Sequence, residues 1–225
     1  MSSALRTHNK AQARHSTKVT CFMLNFSTFK EFDIHYIGFE ELSLRLYHTT
    51  LLHDLGRLNS TDSEVLNPPA HAMTFELHGG CMAYEQLHIT APDFDADQVS
   101  DIVQSIVLHT LQWSSGDSSA TQVFMSVSAL FNIEGHNGTG IVGLDFNRLW
   151  HPKTMEEIEK AYPWGDFYHQ ALAAVDREFA QKPNCLVSHF PGGLDWFTNE
   201  FRVGPIVLRH LNQLEGLDRG LRRAQ

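Results

Sequence analysis

Leu51-Leu52-His53-Asp54-Leu55-Gly56 closes a run in which Leu42, Leu46, Thr49 and His53 recur at three- and four-residue steps. That spacing puts the four on one helical face, with His53 at its inward end. Two good metal donors, His53 and Asp54, therefore lie side by side where a helix stops. Neighbouring helical residues diverge by about 100°, so an adjacent His-Asp pair shares one ion only near a helix end or a distortion. Leu55-Gly56 permits such an ending. A lone His-Asp dipeptide is a common accident. It gains weight from His15, which sits at the end of its own apolar stripe of Val19, Phe22, Phe26 and Phe29. A metal needs neutral or deprotonated donors converging from separate elements, and these two stripes supply them.

Helical periodicity extends along the chain. Asp93 and Asp95 cap a segment whose stripe is Val99, Ile102, Val103, Ile106 and His109. A further apolar segment runs from about Val123 to Phe131 and breaks at the glycine-rich Gly135-His136-Asn137-Gly138-Thr139-Gly140. Lys153 to Tyr162 reads as a short helix stopped by Pro163, and Phe167, Ala171, Ala174, Val175 and Phe179 outline another that ends before Lys182-Pro183. Strand signals are weak, and the stretches Asn59–Ala72 and Asn184–Asp195 are long and turn-rich. There is no internal repeat and no linker. The expectation is one all-α domain, a helical bundle with long connecting loops. The tail Leu208, Leu211, Leu214, Leu217 and Leu221 is expected to dock on the body, with a homodimer contact as the alternative.

Composition narrows the function classes. The 225 residues suffice for one large domain. A formal charge of −9 without a basic patch argues against sequence-independent nucleic-acid binding. No run approaches the ~18 apolar residues of a membrane span, and the N-terminus lacks the apolar core of a secretory signal. Arg6, Lys10, Arg14 and Lys18 faintly resemble a mitochondrial leader, a reading set aside because His15 would fall inside it. Cys21, Cys81 and Cys185 form no CxxC pair and are expected to be reduced thiols in the cytoplasm.

Several stretches together resemble the HD-domain proteins, and within them the fungal cyanamide hydratases. Leu51-Leu52-His53-Asp54 is similar to that family's leucine-leucine-histidine-aspartate motif, and His15-Ser16-Thr17-Lys18-Val19 to its first motif. Met73-Thr74-Phe75-Glu76-Leu77-His78-Gly79-Gly80 is similar to its segment ending in two glycines, and Ser105-Ile106-Val107-Leu108-His109 to the helix bearing its pocket histidine. Ile158-Glu159-Lys160-Ala161-Tyr162-Pro163 and Lys182-Pro183 match later landmarks. The resemblance divides the chain into a short N-terminal segment (1–14), an HD domain (15–195) and a C-terminal tail (196–225). It implies that His15, His53 and Asp54 hold one divalent metal, zinc first and iron second. The family's fourth ligand is an aspartate, and Asn132 stands in its place here, with Glu134 or Asp145 as alternatives if the turn is remodelled. An amide oxygen carries no charge and is a weaker donor.

The resemblance implies a lyase, a hydro-lyase adding water to a small nitrile-like molecule such as cyanamide. The metal would lower the pKa of a bound water or polarise the substrate. His109 is the candidate for binding or protonating substrate, because imidazole titrates near neutrality. The plainer reading of His109 is a core histidine held by a backbone carbonyl. His78 is a second catalytic candidate, read against a solvated loop histidine. Glu76 and Lys182 are candidate substrate-binding or supporting groups, read against a helix-surface acid and an exposed lysine. Two further readings remain. One is an HD-type nucleotide phosphohydrolase, which requires basic residues near the metal; Arg57 is available. The other is a metal-free binding protein that kept the helical cavity, for which Asn132 is the main support.

Overall fold

The computed structural model describes residues 36–56, 73–110, 119–134 and 152–163, with scattered positions between 172 and 186. It contains helices α1 (Phe39–Leu52), α2 (Phe75–Thr90), α3 (Ala96–Leu108), α4 (Ala120–Glu134) and α5 (Pro152–Ala161). Among the described residues there is no strand, so the all-α expectation holds. No described helix is long and apolar enough to cross a membrane. His15 and its stripe, Cys21, Arg57, the stretch 59–72, the glycine-rich break at 135–140, Asp145 and the leucine-bearing tail lie outside the described residues.

α3 is the central element and packs against α1, α2 and α4. Its start is fixed by a capping box: Gln98 N donates to Asp95 Oδ1 at 2.8 Å, and Asp95 N donates to Gln98 Oε1 at 3.1 Å. Such a cap contributes about 1 kcal/mol. Of the expected stripe, Val99, Ile102 and Ile106 are buried. They meet Ala83 and Leu87 of α2 in one apolar cluster, with Leu52, Phe94 and Val103 at its edge.

α1 buries Leu42, Leu46 and Thr49 as the periodicity predicts, and Arg45 and Thr50 with them. Arg45 reaches α3, where it bonds Asp101 at 3.0 Å and Asp97 at 2.8 Å. Two turns further along each helix, the rings of His53 and His109 meet edge to face at 5.1 Å. Arg45–Asp101 and His53–His109 are both separated by 56 positions (101 − 45 and 109 − 53), so α1 and α3 run parallel in fixed register. Both helices therefore finish at the same end of the bundle.

α2 has no counterpart among the helices expected from periodicity. Its buried face is Phe75, Glu76, Gly79, Gly80, Ala83 and Leu87. A carboxylate and two glycines stand where a stripe search looks for large apolar residues, and each glycine costs a helix about 1 kcal/mol relative to alanine. The glycines serve close approach instead. A Cβ on Gly79 would lie 3.2 Å from Gly56 N and 3.4 Å from His53 O, and one on Gly80 would lie 2.7 Å from Val107 Cγ2. One glycine seats α2 on the end of α1 and the other on α3. α4 begins and ends about one turn beyond the expected 123–131. α5 ends at Ala161, one residue short of the expected Tyr162. The described positions from Leu172 to Ala180 are helical, in line with the segment expected there.

Candidate metal centre

The helical face of α1 delivers His53 to the C-cap, where it keeps helical angles (φ −58°, ψ −31°). A tight turn through Gly56 follows. The helix ends before Leu55-Gly56 as expected, and the φ of Gly56 is not in the left-handed region. Its role is proximity. A Cβ there would collide with the Phe75 carbonyl oxygen and lie 2.6 Å from Gly79 N. The absence of a side chain lets the His53-Asp54 turn rest on the first turn of α2.

α3 delivers His109 in the same way, as its own C-cap (φ −64°, ψ −21°). His53, Asp54 and His109 each offer one donor atom, and these atoms all lie within 4.8 Å of one another. Both histidines are 5% exposed. His53 Nδ1 is 2.9 Å from Thr50 O, and His109 Nδ1 is 2.6 Å from Ile106 O. A carbonyl only accepts, so each Nδ1 carries the proton, and in the neutral ring the lone pair falls on Nε2. The core-histidine reading of His109 is thus satisfied at one nitrogen while the other end of the ring enters the donor group.

The electrostatics favour a cation. His53 Nε2 faces Asp54 Oδ2 at 3.3 Å. The two atoms are close enough for one cation to bridge them. The partial negative charge of two helix C-termini, about half an elementary charge each, converges on the same place. Neither α1 nor α3 has a basic residue in its last turn to offset it. The group could therefore hold a metal ion.

Glu76 is fully buried, which corrects the surface-acid reading. Its Oε1 accepts from Thr110 Oγ1 at 2.7 Å, and it lies in the first turn of α2, where the helix dipole favours a carboxylate. Thr110 follows His109 directly, so this bond ties α2 to the end of α3. Phe75 packs its ring on His109 at 5.8 Å. His78 belongs to α2 and is half-buried, not a loop residue. Lys182 is half-buried, and its carbonyl accepts from Cys185 N at 3.0 Å. Neither belongs to the donor group. Asn132 lies in the last turn of α4, but its side chain is outside the described set. Cys81 and Cys185 are thiols.

His109 was expected to bind or protonate substrate, and its place beside His53 and Asp54 in a group that could hold a metal ion was not anticipated. The signal lay in a second stripe: Asp101, Ser105 and His109 repeat the four-residue spacing of Arg45, Thr49 and His53. Comparison with protein-family models and with curated proteins gives no match. Fold and site together define an all-α chain with a His/Asp/His group, its histidines buried and Asp54 partly exposed, that could hold a metal ion at the joined ends of two parallel helices.

Proposed function

We propose that this chain is a metal-dependent hydratase of the HD type, adding water to a small, uncharged nitrile-like substrate. The observation that carries the reading is the convergence of His53, Asp54 and His109 on one point at two helix C-termini. A divalent ion held there supplies Lewis acidity and makes water more acidic near neutral pH. The chain's own residues do the rest. Thr50 O and Ile106 O hold the two rings in the Nε2-donor tautomer. Phe75, itself buried against His109, keeps bulk water from that side. Glu76, held by Thr110, is the buried carboxyl group placed to bind substrate or keep a proton beside His109. By the family resemblance His15 and Asn132 would add further ligands; His15 and the Asn132 side chain lie outside the described residues.

Among the described residues Arg45 is committed to Glu41, Asp97 and Asp101; Arg57, on which the nucleotide reading leans, lies outside them, so the screens cover both substrate classes. The test begins with elemental mass spectrometry on the purified chain without added metal. About one equivalent of zinc or iron, lost in His53→Ala and in His109→Ala, supports the centre and justifies paired nitrile and nucleotide screens. No metal as purified and none on titration defeats the mechanism and leaves a metal-independent binding role. Asn132→Asp adds a negative donor, so metal affinity and hydration are both expected to rise.

A further inference from the structure

Two buried polar stripes face each other between α1 and α3. On α1 they are Arg45, Thr49 and His53; on α3, Asp101, Ser105 and His109. Each series steps by four residues, one helical turn. The outer pair is joined by the 3.0 Å bond from Arg45 Nη1 to Asp101 Oδ2. The inner pair is joined by the 5.1 Å contact of the two histidine rings. The parallel register places Thr49 opposite Ser105 between them. Thr49 and Ser105 are completely buried. A helix interface this deep is ordinarily apolar, yet all three layers of this one are polar. They span about 12 Å, eight residues at 1.5 Å rise.

The middle of the seam is short of hydrogen bonds. Thr49 Oγ1 spends its proton on Arg45 O at 2.8 Å and keeps only acceptor capacity. Ser105 Oγ has no partner among the described residues, and neither does Asp101 Oδ1 one turn above it. α4 packs on both helices. Its Thr121 Oγ1 donates to Asp101 Oδ2 at 2.6 Å, and its Gln122 Oε1 is another buried acceptor without a described partner. Leaving such groups unsatisfied costs about 1–3 kcal/mol each, and the usual remedy is internal water making two to four hydrogen bonds. At its outer end the seam reaches solvent through Asp97, which is 82% exposed and bonded to Arg45.

We infer that the middle of the seam between α1 and α3, closed on one side by the Arg45–Asp101 bond and on the other by the His53–His109 contact, is an internal water site lined by Thr49 Oγ1, Ser105 Oγ and Asp101 Oδ1. The water joins the two helices at the one layer of the seam that has no direct bond of its own. The site does not depend on the hydratase reading.

The experiment combines a high-resolution crystal structure of the full chain with oxygen-17 relaxation dispersion on wild type and on Thr49→Val/Ser105→Ala. The expected result is an ordered water within hydrogen-bond reach of both Ser105 Oγ and Thr49 Oγ1. The double variant loses the dispersion amplitude of about one long-lived water, while its metal affinity stays within twofold of wild type. A crystal structure with no water between those two hydroxyls overturns the site, even if the variant does not fold. Equal dispersion amplitudes in two folded proteins overturn it as well. Neither result touches the metal centre, whose failure is read separately as absent metal uptake.

Discussion

Gly56→Ala is the sharpest probe of how the centre is held. The added Cβ would overlap the Phe75 carbonyl oxygen and sit 2.6 Å from Gly79 N and 2.8 Å from the Phe75 carbonyl carbon. All three obstacles are backbone, so no side chain can swing away. Comfortable contact begins near 3.5 Å, and the turn must therefore move by about 1 Å. Overpacking of this kind costs about 1–3 kcal/mol, and a purely backbone clash belongs at the upper end. The alanine recovers about 0.4–1 kcal/mol by restricting the unfolded chain. A net loss of about 2 kcal/mol lowers Tm by roughly 4–8 °C in a chain of this size. The same movement carries His53 and Asp54 away from His109. Metal sites tolerate only about 0.2 Å in ligand distance, and disturbing a ligand's support typically costs about 10–100-fold in affinity. Gly38→Ala is the control, because a Cβ at Gly38 meets nothing within 4 Å. Urea denaturation of the metal-free chains and zinc titration of the folded ones should separate the two variants on both axes. If Gly56→Ala matches Gly38→Ala in urea midpoint and in zinc affinity, the turn does not rest on α2 and the account of the centre's geometry fails.

Three further outcomes are expected. Burial works against the Arg45 charge, but its bonds to Asp97, Glu41 and Asp101 outweigh that and hold the guanidinium pKa above its ordinary value. Arg45→Met leaves the Asp101 side chain, 9% exposed, without its cation, and should cost about 3–5 kcal/mol in urea unfolding; Asp97→Asn, at an exposed partner, should cost under about 1 kcal/mol. Thr110→Val removes a donor from the buried Glu76 carboxylate and should destabilise by about 1–3 kcal/mol, with a loss of activity that Thr110→Ser restores. Burial holds the His48 pKa below its ordinary value of 6.5. The unfolded chain then binds the proton more tightly, so the contribution of neutral His48 is present above pH 6.5 and is lost as pH falls through the lower folded value. Between pH 7.5 and pH 5 the wild type should lose more stability than His48→Gln, measured as the shift in urea midpoint.

Much of the frame could be read from residues because its stripes are made of large apolar side chains. Leu42 and Leu46 on α1, and Val99, Ile102 and Ile106 on α3, announce both face and period, and Asp95 announces the start of α3. His53-Asp54 was legible for the same reason, since it terminates such a stripe. α2 was not, because its buried face holds Glu76, Gly79 and Gly80, and their suitability depends on backbones that approach only in the folded chain. Glu76 was legible as a candidate supporting group, but its burial was not, because its partner, Thr110, is 34 positions away. No local pattern encodes that pairing. His78, a catalytic candidate read against a solvated loop histidine, lies inside α2 together with the paired glycines that follow it.

The donor group is finally a consequence of topology. α2 starts against the turn that ends α1, and the cluster it shares with α3 includes Leu87, near its own far end. The chain then returns through α3 parallel to α1. An up-down-up path of this kind brings two helix C-termini together, and with them two sets of terminal carbonyls, of which Thr50 O and Ile106 O accept from the histidine rings. Such an end is costly to bury without positive charge. The bundle answers the need differently at the other end of the same seam, where Arg45 supplies the cation for Asp101 from within the chain. At the histidine end the neighbouring groups are donors of lone pairs: two imidazoles turned by Thr50 O and Ile106 O, and the Asp54 carboxylate. One seam with a built-in cation at one end and a set of metal donors at the other is the physical reason to look for the ion at His53, Asp54 and His109.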